Sequence, residues 1–354
     1  MSKFMSKRFD SLEEYVPGEQ PQDKKYIKLN TNESPFPPSP EVIKAVNTDE
    51  VKDLRLYSDP EAKLLKKAIA DYEGVEPENV FVSNGSDETL NFFFMAFCDG
   101  EKEVAFPEIS YGFYKVFAEL YGLNYTAIPL NDDFTINHEN YKNIGKNVVI
   151  ANPNAPTGIM LSLDKIEEII LSNPDYVVVI DEAYADFGGE SAKNLTKKYD
   201  NLLVVKTFSK SRSLAGARLG YGIADSKIIS DLEKIKYSTN PYNVNRLTLK
   251  AGEASIKDTE YFEKTRNEII ENRDYITAEL RKLGFTVLDS KANFVFAKHD
   301  KISGMDYYKY LRENGILVRH FTSEKICEYN RISIGSFEDM QKLAEVTKRL
   351  LEVL

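Results

Sequence analysis

The sequence predicts an α/β fold, a large domain on a mostly parallel sheet flanked by helices, joined to a smaller α+β domain. From about residue 60 to 225, short apolar runs alternate with amphipathic stretches, the rhythm of buried strands connected by helices. After about residue 245 a long charged helical pattern leads into short strand-like runs separated by helices. The chain has 354 residues, and domains typically run to roughly 100–200 residues, so about two are expected.

The segment NESPFPPSPE (32–41) is too rich in proline for a regular helix or a central strand and reads as an extended arm between the units. From Pro60, PEAKLLKKAIADY carries apolar residues at helical spacing, as does DETLNFFFMAFC from Asp87. Six runs read as strands: NVFVS (79–83), EVAFP (103–107), NVVIAN (147–152), YVVVID (176–181), NLLVVK (201–206) and RLGYGIA (218–224). The long charged pattern, KDTEYFEKTRNEIIENRDYITAELRKLG, puts Ile269, Ile270, Ile276 and Leu280 near one helical face and stops at Gly284, a favourable residue just past a helix end. Strand-like FTVLD and NFVFAK follow, then a helix near MDYYKYLREN, strand-like GILVRHF and RISIG, and a last helix from about Glu338. The large domain is therefore expected over 30–245, with 1–29 and 246–354 forming an N-terminal arm and the small domain.

The 46 basic and 56 acidic residues give a formal charge of −10, which argues against a general polyanion binder, so any phosphate site must be local. Cys98 and Cys327 lie too far apart in sequence to suggest a disulfide framework or zinc cluster. His138, His299 and His320 have no metal-ligand spacing, and no metal is expected. No run approaches 18 apolar residues and no leader pattern is seen, which reads as a cytoplasmic protein.

Four segments place polar side chains directly after candidate strands, where open α/β sheets bind ligands. SNGSDETL (83–90) turns into a helix whose first N–H groups favour an anion, with Ser86 or Asp87 as a cap. ANPNAPTG (151–158) fixes a turn that can present the amides of Asn152 and Asn154. IDEAYADF (180–187) ends a buried strand in Asp181 and Glu182, with Tyr184 next. A carboxylate there needs a partner, and a protonated heterocyclic nitrogen suits Asp181.

The fourth segment, TFSKSRSLAGARLGY (207–221), sets Lys210 among small residues, with Arg218 and the hydroxyls of Thr207 and Ser209 available for a phosphate. Desolvation and a nearby cation favour the neutral, nucleophilic lysine. Phosphate donors, an aspartate for a ring nitrogen, a tyrosine and an asparagine for a ring oxygen, and an amine for an aldehyde together describe pyridoxal 5′-phosphate.

These motifs, in this order, resemble the class I/II aminotransferases, and within them the histidinol-phosphate aminotransferase branch. The likeness runs from EYVPG (14–18) and IKLNTNESPFPPSP (27–40) through LRLYSDP (54–60), SNGSDE, PEISYGFY (107–114), NPNAPTG, VVIDEAY and TFSKSRSLAGARLGY. It continues to NPYNVN (240–245), GILVR (315–319) and NRISIG (330–335). It implies an aspartate-aminotransferase-like fold with a seven-stranded sheet, in a homodimer with shared sites.

By this resemblance Lys210 is the lysine that bonds the cofactor aldehyde, Asp181 partners the ring nitrogen, Tyr184 contacts the phenolic oxygen and Tyr111 stacks on the ring. Ser86, Asp87, Thr207, Ser209 and Arg218 fall where the family holds the phosphate, and Tyr57 where it reaches the neighbouring subunit's cofactor. Arg331 matches the clamp for the substrate α-carboxylate, while Arg319 and Tyr15 match positions that hold the distal anion. One position departs from the pattern. The family commonly reads NPNNPTG, and the asparagine before PTG, which bonds the cofactor oxygen, is here Ala155; Asn154 or Asn152 is expected to take its place.

The implied reaction moves an amino group between glutamate and an oxo substrate, with histidinol phosphate and imidazole acetol phosphate as the preferred second pair. The rival readings are an aromatic amino-acid transaminase, a phosphothreonine-type decarboxylase and a non-catalytic cofactor-binding protein. A nucleotide-binding dehydrogenase is disfavoured by the lack of a G-x-G-x-x-G after the first strand.

Overall fold

The computed structural model describes residues 5, 6, 9, 12, 13, 15–46 and 49–352. Its larger sheet has seven strands: β2 (Val80–Ser83), β3 (Val104–Pro107), β4 (Tyr125–Ile128), β5 (Asn147–Ala151), β6 (Val178–Asp181), β7 (Leu202–Thr207) and β8 (Gly220–Ala224). They lie in the order β2-β8-β7-β6-β5-β3-β4, all parallel except β8, which runs antiparallel to both neighbours. All six strands read from the sequence are present. The seventh, β4, is a half-exposed edge strand, YTAI, without the continuous apolar run that marks a buried one.

Helices cover both faces. On one side α2 (Lys63–Glu73), α5 (Leu163–Ser172) and α7 (Arg246–Lys257) contribute Ile69, Ile169 and Ala251 to a core with Val148, Ile180 and Val204. On the other, α3 (Ser86–Phe97), α4 (Phe113–Tyr121) and α6 (Ser226–Thr239) pack Phe93, Phe117 and Leu232 on Phe81, Val149, Val179 and Val205. Alternation along each strand thus assigns neighbours to opposite faces.

The second sheet orders β1 (Ile27–Leu29), β11 (Ile316–His320), β12 (Asn330–Ser333), β10 (Phe294–Lys298) and β9 (Thr286–Val287). The long helix α8 (Thr259–Lys282) buries Ile269, Ile276 and Leu280 against this sheet together with α9 (Gly304–Glu313) and α10 (Phe337–Glu352). Gly284 follows it at φ +88°, a left-handed conformation that glycine adopts freely. One element differs from the expected arrangement: α7, although it lies beyond residue 245, packs against α1 (Pro40–Val46) and α2 of the larger unit. The proline-rich arm carries no regular structure before α1, and Tyr261 on α8 donates to the Pro37 carbonyl, so the arm runs between the two units.

Candidate active site

The carboxyl ends of β2, β5, β6 and β7 converge on a cavity of about 330 Å³ lined by Ser86, Asp87, Tyr111, Ala155, Asp181, Tyr184, Thr207, Ser209, Lys210 and Arg218, among others. It adjoins a second chamber of about 450 Å³, to which Tyr15, Asn30, Arg319 and Arg331 contribute while Tyr111, Tyr184 and Lys210 line both. Every sequence-derived site residue faces one of these spaces except Tyr57, Asn154 and its alternative Asn152.

Strand alternation explains the placement of the acid. Asp181 ends β6 on the face carrying Val179, whereas Glu182, the next residue, faces the opposite core. Asp181 is buried, accepts from the Tyr114 hydroxyl at 2.7 Å and from the Ala183 N–H at 3.1 Å, and burial lifts its pKa to about 6. Tyr114 is a residue that sequence reasoning overlooked. It was visible as the last residue of PEISYGFY, three positions after Tyr111, but only the fold shows that it reaches Asp181.

Lys210 follows β7 on the turn built from TFSKSRS. Its ammonium donates to the Thr31 carbonyl at 3.1 Å and lies 5.8 Å from the centre of the Tyr184 ring. Burial, aided by the charge of Arg331, brings its pKa down to about 8. Beside it, the Thr207 hydroxyl donates to Ser209 Oγ at 3.0 Å and accepts from the Ser209 N–H at 3.1 Å. Tyr184 receives the amide of Asn32 at 3.0 Å and stands edge-on to Phe294. Asn32 is a second residue that the sequence did not single out.

At the phosphate end, Arg218 Nη2 and the Tyr111 hydroxyl both donate to Asp87, each at 2.8 Å. An ionised carboxylate offers acceptors only. Any part of Asp87 in holding phosphate therefore falls to its backbone N–H in the first turn of α3.

Arg319 and Arg331 stand directly opposite one another on the antiparallel pair β11 and β12. Like charges facing across a pair are unfavourable, and make sense where an anion is to be bound. Arg331 gives one donor to the Asn30 carbonyl at 3.1 Å, while its Nε is buried without a protein partner. Arg319 donates to the carbonyls of Val16 and Pro17. Tyr15 packs its ring 4.3 Å from that of Phe113, at the chamber wall.

Asn154 does not line the cavity. Its amide is engaged by the Ile109 carbonyl at 2.9 Å and its oxygen by the Ser110 hydroxyl at 2.8 Å, so it braces the loop instead. Asn152 is likewise tied twice to the backbone of Leu161. The side chain presented to the cavity from this loop is Ala155. Tyr57 lies on the surface, 78% exposed and stacked on Tyr242 at 4.4 Å. Elsewhere His138 groups with Glu139 and Glu168, but Lys142 already pairs with both carboxylates at 2.8 and 3.1 Å.

The donor set suits pyridoxal 5′-phosphate on three counts. One end has a guanidinium and hydroxyls for a phosphate, the other a buried acid for a ring nitrogen, and between them stands an amine of lowered basicity for an aldehyde.

Residues 24–347 match the model of the family described as aminotransferase class I and II. The chain is 52% identical over 99% of its length to all of the histidinol-phosphate aminotransferase of Brachyspira hyodysenteriae, and 48% identical over 99% to all of that of Clostridium acetobutylicum. Among solved structures, a histidinol-phosphate aminotransferase from Clostridium acetobutylicum superposes with a TM-score of 0.85 at 25% identity, covering 93% of this chain and 100% of the other. That of the Sinorhizobium meliloti enzyme in complex with pyridoxal-5′-phosphate shares the fold, with a TM-score of 0.86 at 23% identity over 99% of both chains. With a family match across most of its length and relatives this close end to end, the chain belongs to the class I and II aminotransferases.

Proposed function

We propose that this protein transfers an amino group between histidinol phosphate and 2-oxoglutarate, using pyridoxal 5′-phosphate in the cavity around Lys210. The observation that carries this reading is a low-pKa lysine and a buried aspartate next to a chamber with two opposed arginines. The names of the full-length relatives support the choice of substrate.

When bound, the cofactor supplies an aldehyde for the exchange of amines and a ring that withdraws electrons from the amino acid's Cα. The chain's residues do the rest. Lys210 Nζ, partly neutral near pH 8, is the base that takes the Cα proton and returns it. Asp181, ionised above about pH 6, would hold a proton on the ring nitrogen, and Tyr114 fixes the carboxylate by its hydrogen bond. Tyr184, through its hydroxyl, would steady the phenolic oxygen, and Tyr111, which lines the same cavity, would cover the ring. Ser86, Thr207, Ser209, Arg218 and the Asp87 N–H take the phosphate. Arg331 takes the α-carboxylate of glutamate through its free Nε, and Arg319 with Tyr15 takes the distal anion. With Ala155 in place of the usual asparagine, the phenolic oxygen relies on Tyr184.

Tyr57 belongs, in this reading, to the site of a second copy in a homodimer. Its exposure supports that, as do the exposed Val51, Leu54, Leu56, Leu64 and Tyr242, since solvent-facing apolar side chains in such numbers mark a contact surface. The proposed compartment is the cytoplasm, in keeping with two unpaired cysteines. No helix among the described residues is long and apolar enough to cross a membrane.

The test is a panel of amino donors with 2-oxoglutarate, compared by kcat/KM. Histidinol phosphate should exceed phenylalanine. A preference for phenylalanine would favour the aromatic transaminase, and carbon dioxide release without an acceptor the decarboxylase.

A further inference from the structure

We propose that the carboxylate of Asp87 is a two-armed brace that couples the seating of the cofactor ring to the capture of its phosphate. This rests on the cofactor reading above, but goes beyond it in giving the side chain a positioning role. Asp87 has two oxygens and uses each for a different arm: Oδ1 accepts from the Tyr111 hydroxyl and Oδ2 from Arg218 Nη2, both at 2.8 Å. Tyr111 is the ring cover, and among the described residues Arg218 is the only guanidinium lining this cavity. A side chain that bonds both ties their positions together.

The surroundings are built to keep the arms in place. Arg218 sits at φ +54°, a left-handed conformation unfavourable for a non-glycine residue. Its guanidinium passes over Gly85, where an added Cβ would lie 2.6 Å from Nη2, so any other residue there would push Arg218 off Asp87. On the opposite side, the Tyr111 ring is fixed edge-on against Tyr114 at 5.7 Å, and Tyr114 in turn bonds Asp181. A continuous set of contacts therefore runs from Arg218 through Asp87, Tyr111 and Tyr114 to Asp181, joining the two ends of the cavity.

The brace also sets charge. Asp87 is one of the acids that raise the basicity of Lys210, against the opposite pull of Arg218 and Arg331. Removing its charge must make the cationic form of the lysine nitrogen less favourable.

The experiment compares Asp87→Asn, Tyr111→Phe and the double variant. With pyridoxal 5′-phosphate, Asp87→Asn should weaken binding at least about tenfold and move the pH midpoint of the bound cofactor's absorbance downward, a spectroscopic shift that a general loss of packing does not produce. The double variant should lose less than the product of the two single losses, because Tyr111 and Arg218 share one carboxylate. An unmoved midpoint, or losses that multiply, would overturn the brace. The same cycle on the ligand-free protein, followed by denaturant unfolding, keeps the idea testable by itself. Coupled effects on the unfolding constant support it and independent ones refute it. Tyr111→Phe removes one oxygen, and with Arg218→Lys it supplies an arm-by-arm comparison should Asp87→Asn fold poorly. A wild-type chain that takes up no pyridoxal phosphate would refute the proposed function, whereas the ligand-free cycle would still decide the brace.

Discussion

Lys210 and Asp181 are adjacent functional groups perturbed in opposite senses by one cause. Burial disfavours the charged form of each, so the amine falls to about 8 and the carboxyl rises to about 6. A depressed lysine pKa means that the folded protein bears a cost below about pH 8, where the amine must charge, and none above the unfolded value. Lys210→Met should therefore abolish turnover while the ligand-free Tm at pH 7 holds or rises, as a thermal melt will show. Asp181 loses its charge as pH falls through about 6, so cofactor affinity should fall about tenfold per unit below that value. Tyr114→Phe deletes a donor that favours the carboxylate. It should push this acid limb to higher pH and weaken cofactor binding about 10- to 100-fold, the loss of a hydrogen bond to a charged group. Titrating cofactor affinity against pH checks both.

Among the elements, β6 and β7 show what the sequence can and cannot reveal. The runs YVVVID and NLLVVK marked buried strands, and in the fold period-2 alternation sends Asp181 and Glu182 to opposite faces. The destination of Glu182 could not be read, because its partners come from β7 and from residues 191 and 192, beyond the turn that follows β6. It accepts from Ser191 and Ala192 and lies 3.6 Å from Lys206, which is itself 3.3 Å from Glu73. Glu73 also takes Lys193 and Tyr221. Lys206→Met leaves two buried carboxylates short of a cation and should destabilise the fold by about 3–5 kcal/mol, measured by denaturant unfolding, without touching the cavity directly. The loop after β5 gives the contrary lesson. Asn154 looked like a ligand residue, yet prolines on either side hold its amide against Ile109 and Ser110, and backbone demand outweighs presentation to the cavity. On the second sheet, the register of β11 and β12 was hidden in two short motifs, GILVR (315–319) and NRISIG (330–335), whose arginines lie 12 residues apart. It sets Arg319 opposite Arg331, and Arg319→Met should raise KM for histidinol phosphate at least about tenfold with a smaller effect on kcat, seen in steady-state kinetics.

At the scale of the molecule, two sheets with separate cores enclose one site, and the arm, the strand ends of the large sheet and β11–β12 of the small one all contribute to it. The fold class and most of the lining were legible because strand ends in an α/β sheet converge by rule, whatever the connecting helices do. Long-range contacts such as Asn32 to Tyr184 were not, since nothing local distinguishes that asparagine. Tyr57, exposed in the single chain, supplies the test of assembly: Tyr57→Ala should leave the protomer's melt unchanged while weakening cofactor binding, and sedimentation should find a dimer. The most direct measurement is reductive trapping. The protein, saturated with pyridoxal 5′-phosphate, is treated with borohydride, digested and mapped by mass spectrometry; one pyridoxyl group per chain on Lys210 is the predicted result, and no label, or a label on another lysine, would contradict it.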